Sequence, residues 1–435
     1  MSLVFYIIGR FSCIGKKILR MEIDSMKKYA LYSTIFSILL TSCLSGTRYV
    51  LPVNESRVHM GLENFLKNTD KYKDKKCLLV TNHSGIDRDM NSNITLLTSK
   101  GIDIRFIMAP EHGLYGHQHD YADEFFTRVI GTELIVYNMH KLNQARFNEL
   151  IKDIDIIIFD IQDMGMRCYT YISNLKFIMD AINGGKAELI VLDRPNPIGF
   201  LGISGPSLDQ RFATRFISAF PAPFIYDMTI GEAALYYKGE FTKDVKLTVF
   251  KMSGYKRNMF YHNTTMPWIP PSPNLPTYRS AIVYSSVVLM ECINISLGRG
   301  TPTPFEYIGA PWIDPVKFST DLGEMGFEAF KFRPVYFMPT SHKYSWQNCR
   351  GAHIVYTGKK FNPTELSYKI IQYLFKNYPE TRWSYSGDRY EIDSMSGTDK
   401  FRLSINQGLS FEEYFKLVED EINEFSKKRK KYILY

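Results

Sequence analysis

Ile154-Asp155-Ile156-Ile157-Ile158-Phe159-Asp160-Ile161-Gln162-Asp163 is the stretch that decides the fold. From Ile154 to Phe159 it is apolar or acidic with almost no polar break, as in a strand buried on both faces. Downstream, Tyr171, Leu175, Ile178 and Ile182 recur at helical spacing, and Asn183-Gly184 supplies a C-cap. Leu189–Leu192 then reads as the next strand, followed by a helix over 230–238 and a strand over Val245–Phe250. Upstream, Cys77–Thr81, Ile104–Met108 and Leu134–Tyr137 are further strands. Asn93 is a cap for a short helix that Gly101 ends, and Leu142–Ile151 is another helix. Strands alternating with helices imply an α/β fold, Rossmann-like, with a mostly parallel sheet wrapped by helices.

The pattern changes near residue 255. Segment 267–277 is so proline-rich that it must be extended loop, because each proline removes a donor and restricts its neighbour. Shorter, less regular elements follow. The expected organisation is a Rossmann-like catalytic domain over 59–265 and a smaller α+β domain over 266–435.

The chain has 435 residues, 45% of them apolar and 23% charged, which is globular rather than disordered composition. The formal charge of +8 owes much to Lys427-Lys428-Arg429-Lys430-Lys431, read as the solvated end of the last helix. No zinc-finger, RNA-recognition or helix-turn-helix pattern is present, so nucleic acid is not an expected partner. Six cysteines show neither a paired metal spacing nor a dense disulfide framework, and Cys77 reads as a buried thiol.

Cys43 is distinctive. Lys27-Lys28 forms a basic region, Tyr29–Leu40 an apolar one, and Leu40-Thr41-Ser42-Cys43 resembles a bacterial lipobox. Residues 1–43 are thus an export signal, with translation starting at Met21 or Met26, and 44–58 a linker. Lipidation of Cys43 would hold the protein in the cell envelope by a lipid anchor alone, on the periplasmic side or as an outer-membrane lipoprotein. No later apolar run reaches the length that spans a bilayer.

Three polar clusters stand at expected strand ends: Pro110-Glu111-His112-Gly113, Asp160-Ile161-Gln162-Asp163 running into Arg167, and Asp193-Arg194-Pro195-Asn196-Pro197. In a doubly wound sheet such ends converge on one crevice, where a desolvated carboxyl can keep a proton for general-acid work. Glu111 is the leading candidate. Thr229-Ile230-Gly231-Glu232 reads either as a capping box or as a second acid at the crevice edge. His112, His117, His119, Asp120 and Asp123 crowd one loop but lack a known metal spacing, so no metal is assigned. Gly298-Arg299-Gly300-Thr301 lacks a P-loop lysine, but Arg299 could grip a carboxylate. No dinucleotide fingerprint or nucleophile elbow appears, and no cofactor is expected.

Read together, Thr81-Asn82-His83-Ser84-Gly85, Ala109-Pro110-Glu111-His112-Gly113, Phe159-Asp160-Ile161-Gln162-Asp163, Tyr169-Thr170-Tyr171-Ile172, Leu192-Asp193-Arg194-Pro195-Asn196-Pro197, Met228-Thr229-Ile230-Gly231-Glu232, Ser272-Pro273-Asn274 and Gly298-Arg299-Gly300-Thr301 resemble one family. It is the exo-β-N-acetylmuramidases of the NamZ type, glycoside hydrolase family 171, formerly a domain of unknown function. The resemblance spans roughly 75–435. It implies release of N-acetylmuramic acid from the non-reducing end of peptidoglycan fragments, in cell-wall turnover or recycling. Three positions depart from the family's habit: Leu297 for a frequent Glu, Asp123-Glu124 for Gly-Glu, and Asp227 for Gly.

On this reading Glu111 protonates the glycosidic oxygen. Glu232 is first choice for its partner, with Asp160 and Asp163 behind it. Arg167, Arg194 or Arg299 pairs with the lactyl carboxylate. His83, His112, Asn274, Tyr171 and Asn196 hold the sugar. The rival readings are a non-catalytic lipoprotein that binds cell-wall sugars and a metal-dependent hydrolase using the histidine loop.

Overall fold

The computed structural model describes residues 57–118 and 125–435. Strand β5 (Ile156–Asp160) is buried along its whole length and sits near the centre of a seven-stranded sheet. The other strands of this sheet are β1 (Lys76–Thr81), β2 (Asp103–Ala109), β3 (Phe126–Arg128), β4 (Ile135–Asn138), β6 (Glu188–Leu192) and β9 (Lys246–Phe250). Their order is β3-β4-β2-β1-β5-β6-β9, and all neighbours are parallel except β3 with β4. Leaving out β3, this is the Rossmann strand order, with its switch point between β1 and β5. Apolar residues of β5 need cover on both faces, and they have it: Ile157 and Phe159 join one core, Ile156 and Ile158 another.

The helix Tyr171–Ile182 follows β5, and all four residues of its apolar spacing are buried. Gly184 ends it in the left-handed region. The short helix after β1 differs from expectation. Ser92, not Asn93, is the cap, accepting from the Ile94 N–H. That frees Asn93 to turn inward, where its amide donates to Thr81 and Asp160 at 2.8 Å each. The helix expected over Leu142–Ile151 is Gln144–Leu150, capped by Asn143.

Beyond β6, strands β7 (Ser204–Ser207) and β8 (Pro223–Ile225) form a small antiparallel pair. Segment 267–277 contains no helix or strand, as its prolines require. The helix Tyr278–Val287 then leads to an antiparallel sheet ordered β10-β12-β11, with β10 Tyr307–Ala310, β11 Phe330–Phe337 and β12 Cys349–Tyr356. One continuous apolar core joins this part to the large sheet. Cys77 is a buried thiol in β1, which burial pushes upward in pKa.

The basic run closes the last helix, Glu419–Arg429, but Arg429 is not solvated. It folds back on Asp227 at 2.8 Å, beside Arg257. Asp227 has φ 45°, a left-handed conformation that glycine adopts without strain. The two guanidiniums hold the aspartate there. The chain then returns to the large sheet. Leu434 N–H donates to Glu232 at 2.7 Å, and the Tyr435 hydroxyl donates to Asp193 at the end of β6 at 2.8 Å.

The predicted signal, Cys43 and most of the linker lie outside the described residues, as do His119, Asp120, Asp123 and Glu124. Among the described residues no helix is long and apolar enough to cross a membrane.

Candidate active site

The switch point is where a ligand was expected, and polar side chains fill it with one another. Asp160, fully buried, accepts from Arg194 Nε at 2.6 Å and from Asn93 at 2.8 Å. Arg194 spends a further N–H on the Ile86 carbonyl. The Ser84 hydroxyl donates to Asn82 and accepts from the Gln162 N–H, while Gln162 itself donates to two carbonyls. Asn196 bridges the Met228 carbonyl and the Ile198 N–H. Asp163 accepts from Tyr226 and from the Gly165 N–H, and burial still pushes its carboxyl up to about 6. None of these residues lines the cavity described below.

Glu232 is also satisfied elsewhere. It completes a true capping box with Thr229 and pairs with Arg257, and it is fully buried. Beside it, Asp193 holds Thr229, the Gly231 N–H and Tyr435, and burial pushes it up to about 7. Arg167 is enclosed too. Its guanidinium donates to the carbonyls of Pro206, Ala222 and Ser396, and burial pulls it down to about 10. It cross-links three backbone segments rather than meeting a ligand.

Glu111 stands apart from this network. Just beyond β2, it lines a cavity of about 160 Å³ together with His112, Thr170, Ser272, Asn274, Glu291, Arg299 and an apolar wall including Leu275, Val288 and Phe305. Thr170 is at the N-cap of helix Tyr171–Ile182 but makes no capping bond. Its hydroxyl donates instead to Glu111 Oε2 at 2.7 Å. The helix N-terminus thus lies beside the Glu111 carboxyl group. His112 has φ 72°, and its Nδ1 lies 2.6 Å from the Gln118 carbonyl.

His83 and Tyr171 act one layer out. The Tyr171 hydroxyl donates to the Pro271 carbonyl at 2.6 Å and accepts from Asn82. His83 Nε2 lies 2.6 Å from the Pro270 carbonyl. Together they strap the proline loop over the end of β1, which brings Ser272 and Asn274 to the cavity. Glycine is required at Gly116 because a Cβ there would lie 1.9 Å from the His83 ring.

The other carboxyl in the cavity is Glu291, which sequence reasoning missed. It lies in the 3-10 turn Val288–Cys292 after helix Tyr278–Val287 and forms an ion pair with Arg299. Arg299 also lays its guanidinium over the Phe305 ring, 5.3 Å from the centroid. Burial opposes its charge, but the Glu291 carboxylate outweighs burial and raises its pKa. A signal did exist. Glu291 is the only charged residue between Arg279 and Arg299, in a run otherwise apolar enough to be core. A charge in such a place needs a partner.

The phenols and the thiol of the lining stay neutral. Burial raises the Tyr169 and Tyr284 phenols well above the usual range and pushes the Cys168 thiol up to about 12, so no thiolate nucleophile is at hand. Among the described residues no cluster of His, Cys, Asp and Glu is arranged to hold a metal ion.

Two carboxyl groups and a guanidinium thus line one small cavity beside a Rossmann-like sheet, a residue set that carboxylate-based glycosidases also use. Comparison with known proteins supplies the family. Residues 77–279 match the N-terminal model, and 282–435 the C-terminal model, of exo-beta-N-acetylmuramidase NamZ. The chain belongs to that family. It is 35% identical over 388 residues to the peptidoglycan beta-N-acetylmuramidase NamZ of Bacillus subtilis (strain 168), covering 87% of this chain and 92% of the relative. Crystal structures of two DUF1343 family proteins from Bacteroides fragilis NCTC 9343 share the fold. Their TM-scores are 0.78 and 0.68 at 29% and 27% identity, each with 87% of this chain and 99% of theirs covered.

Proposed function

We propose that the Glu111–Glu291 cavity binds the terminal N-acetylmuramic acid of a peptidoglycan fragment and hydrolyses its β-glycosidic bond. The observation that carries this reading is that Glu111 and Glu291 line the same small cavity while every other acid proposed from sequence is hydrogen-bonded elsewhere. A cavity of about 160 Å³, below the roughly 300–1,000 Å³ of common ligand pockets, has room for a terminal ring rather than a chain of them, which accords with exo action.

In the mechanism we infer, Thr170 occupies one oxygen of Glu111 and the other delivers a proton to the leaving glycosidic oxygen. Glu291 supplies the negative charge that stabilises the oxocarbenium-like transition state, and a water then adds to the anomeric carbon and returns a proton to the Glu111 carboxylate. Arg299 fixes Glu291 through one arm and offers its remaining N–H groups to the lactyl carboxylate, the feature that distinguishes muramic acid from its unsubstituted analogue. Asn274 and His112 are placed to meet hydroxyl or acetamido groups. His83 and Tyr171 act as positioning residues through the proline loop.

The test is incubation with the disaccharide MurNAc-GlcNAc and chromatography of the products. Free N-acetylmuramic acid is expected from the parent protein, and about a thousandfold less from either Glu111→Gln or Glu291→Gln. Tight binding without turnover by the parent protein would overturn the reading.

We further propose that Cys43 is lipidated and that the enzyme works in the cell envelope, with a division near residue 265 between the Rossmann-like part and the α+β part. The basic, apolar and Leu-Thr-Ser-Cys segments support the anchor. Loss of fatty-acid labelling in Cys43→Ser would confirm it, and unchanged labelling would refute it.

A further inference from the structure

The hairpin joining β11 to β12 carries side chains that neither the core nor the cavity uses. Along Val335–Thr340 burial alternates: Val335, Phe337 and Pro339 face inward, while Tyr336, Met338 and Thr340 face solvent. Tyr336 is 72% exposed and Met338 44%. Successive residues on one side of an extended chain are about 6.6 Å apart, so Tyr336, near the end of β11, and Met338 and Thr340 just beyond it share the outward side. Trp346, 70% exposed, follows it, its backbone N–H donating to the Pro339 carbonyl at 2.8 Å.

The row ends against the Gly298–Thr301 loop, whose Arg299 lines the cavity. Thr340 donates to the Gly300 carbonyl at 3.0 Å, next to Arg299. Gly300 has φ 78°, and a Cβ there would lie 2.1 Å from the Thr340 hydroxyl, so glycine alone allows this seating. From the hairpin, Lys343 also reaches under the cavity wall to the carbonyls of Glu291 and Ile293. The loop is held in an unfavourable shape: His342, Tyr344 and Trp346 have φ of 65°, 58° and 64°. Such strain persists only where surrounding contacts over-determine it, and it gathers at ligand-binding sites.

We propose that this hairpin is a platform for the glycan beyond the terminal ring, with pyranose rings laid by their C–H faces on Tyr336 and Trp346. The proposal rests on reading the cavity as a terminal-ring site. A cavity that encloses one ring leaves the rest of a longer substrate outside. The Tyr336–Met338–Thr340 row, continuous with the Gly300 rim, offers that remainder an apolar track. Aromatic faces bind sugar rings weakly and without strict sequence demands, which suits a substrate of variable length.

The experiment is calorimetric binding of MurNAc-GlcNAc and of the corresponding tetrasaccharide to Glu111→Gln protein. The tetrasaccharide is expected to bind about tenfold more tightly, as one or two aromatic stacks would give. In the same background Tyr336→Ala with Trp346→Ala should remove that difference and leave the disaccharide affinity within about twofold, because the short ligand fills only cavity and rim. Quenching of Trp346 fluorescence by the tetrasaccharide alone would agree. Equal binding of both lengths, or equal loss for both on substitution, would overturn the platform. A shift from dimer to monomer on sedimentation of the double variant would assign the face to a second copy instead. Failure of the parent protein to release N-acetylmuramic acid would defeat the hydrolase reading separately, since length-dependent affinity is read without turnover.

Discussion

The switch point between β1 and β5 and the cavity beside Glu111 are built from the same residue types, yet they behave as opposites. At the switch point Asp160, Arg194, Asn93 and Thr81 are hydrogen-bonded to one another and to nearby backbone carbonyls. In the cavity Glu111 and Glu291 each have one strong local partner and line open space. A buried ion pair with good hydrogen bonds organises a fold, whereas a partly satisfied carboxyl facing a void has capacity left for a ligand. The difference separates two roles that look alike in sequence.

The sharpest way to break this comparison is to remove one charge from each region. Glu111→Gln should lower muramidase turnover by about a thousandfold, some 4 kcal/mol in the barrier, with thermal unfolding unchanged. Asp160→Asn should do the reverse. It strands the Arg194 guanidinium, which is 3% exposed, and should cost about 3–5 kcal/mol of stability in urea denaturation, while the folded fraction keeps its kcat. If Asp160→Asn abolished turnover without destabilising the fold, the assignment of regions would be inverted.

A smaller effect is expected from Thr170→Val, which removes the hydrogen bond to Glu111. That bond should be worth about 1.5–3 kcal/mol, a loss of roughly ten- to a hundredfold in kcat, with KM little changed.

A further effect concerns pH. Asp163 and Asp193 are pushed up to about 6 and about 7 in the folded protein, against about 3.9 for an ordinary aspartate. Folded protein therefore holds these protons more tightly than unfolded chain. Their stabilising contribution is full below about pH 4 and is lost as pH rises towards 7. Asp193→Asn should flatten this part of the Tm profile between pH 4 and 7. An unchanged slope would show that Asp193 titrates normally.

Much of the architecture was legible in sequence because it depends on local periodicity. The β5 run, the helix Tyr171–Ile182 and the capping box at Thr229 are each decided within a few turns of chain. The strand ends carrying Glu111, Asp160 and Asp193 were legible too. Their partners were not, because pairing is set by packing between distant segments. Asp160 meets Arg194 34 residues away, and Arg167 meets Ser396 across 229. Asn93 looked like a cap because a cap needs only its own turn, and Ser92 beside it served equally well. Glu291 went unnoticed for a related reason. Its neighbours read as core, and only the fold of the Gly298–Thr301 loop brings Arg299 back to it. Leu297, where the family often has Glu, is 1% exposed and packs in the core, so in this chain that position contributes to stability rather than to the cavity surface.

The closure of β6 by Tyr435 bears on how the chain is made. Asp193 and the residue that satisfies it are separated by 242 positions. During synthesis, at about 5–20 residues per second, the strands around Asp193 leave the ribosome more than ten seconds before their partner. Through that interval the nascent sheet carries an incomplete strand end, and chaperones or proteases have their best access to it. Commitment to the native state is therefore deferred until the final segment docks.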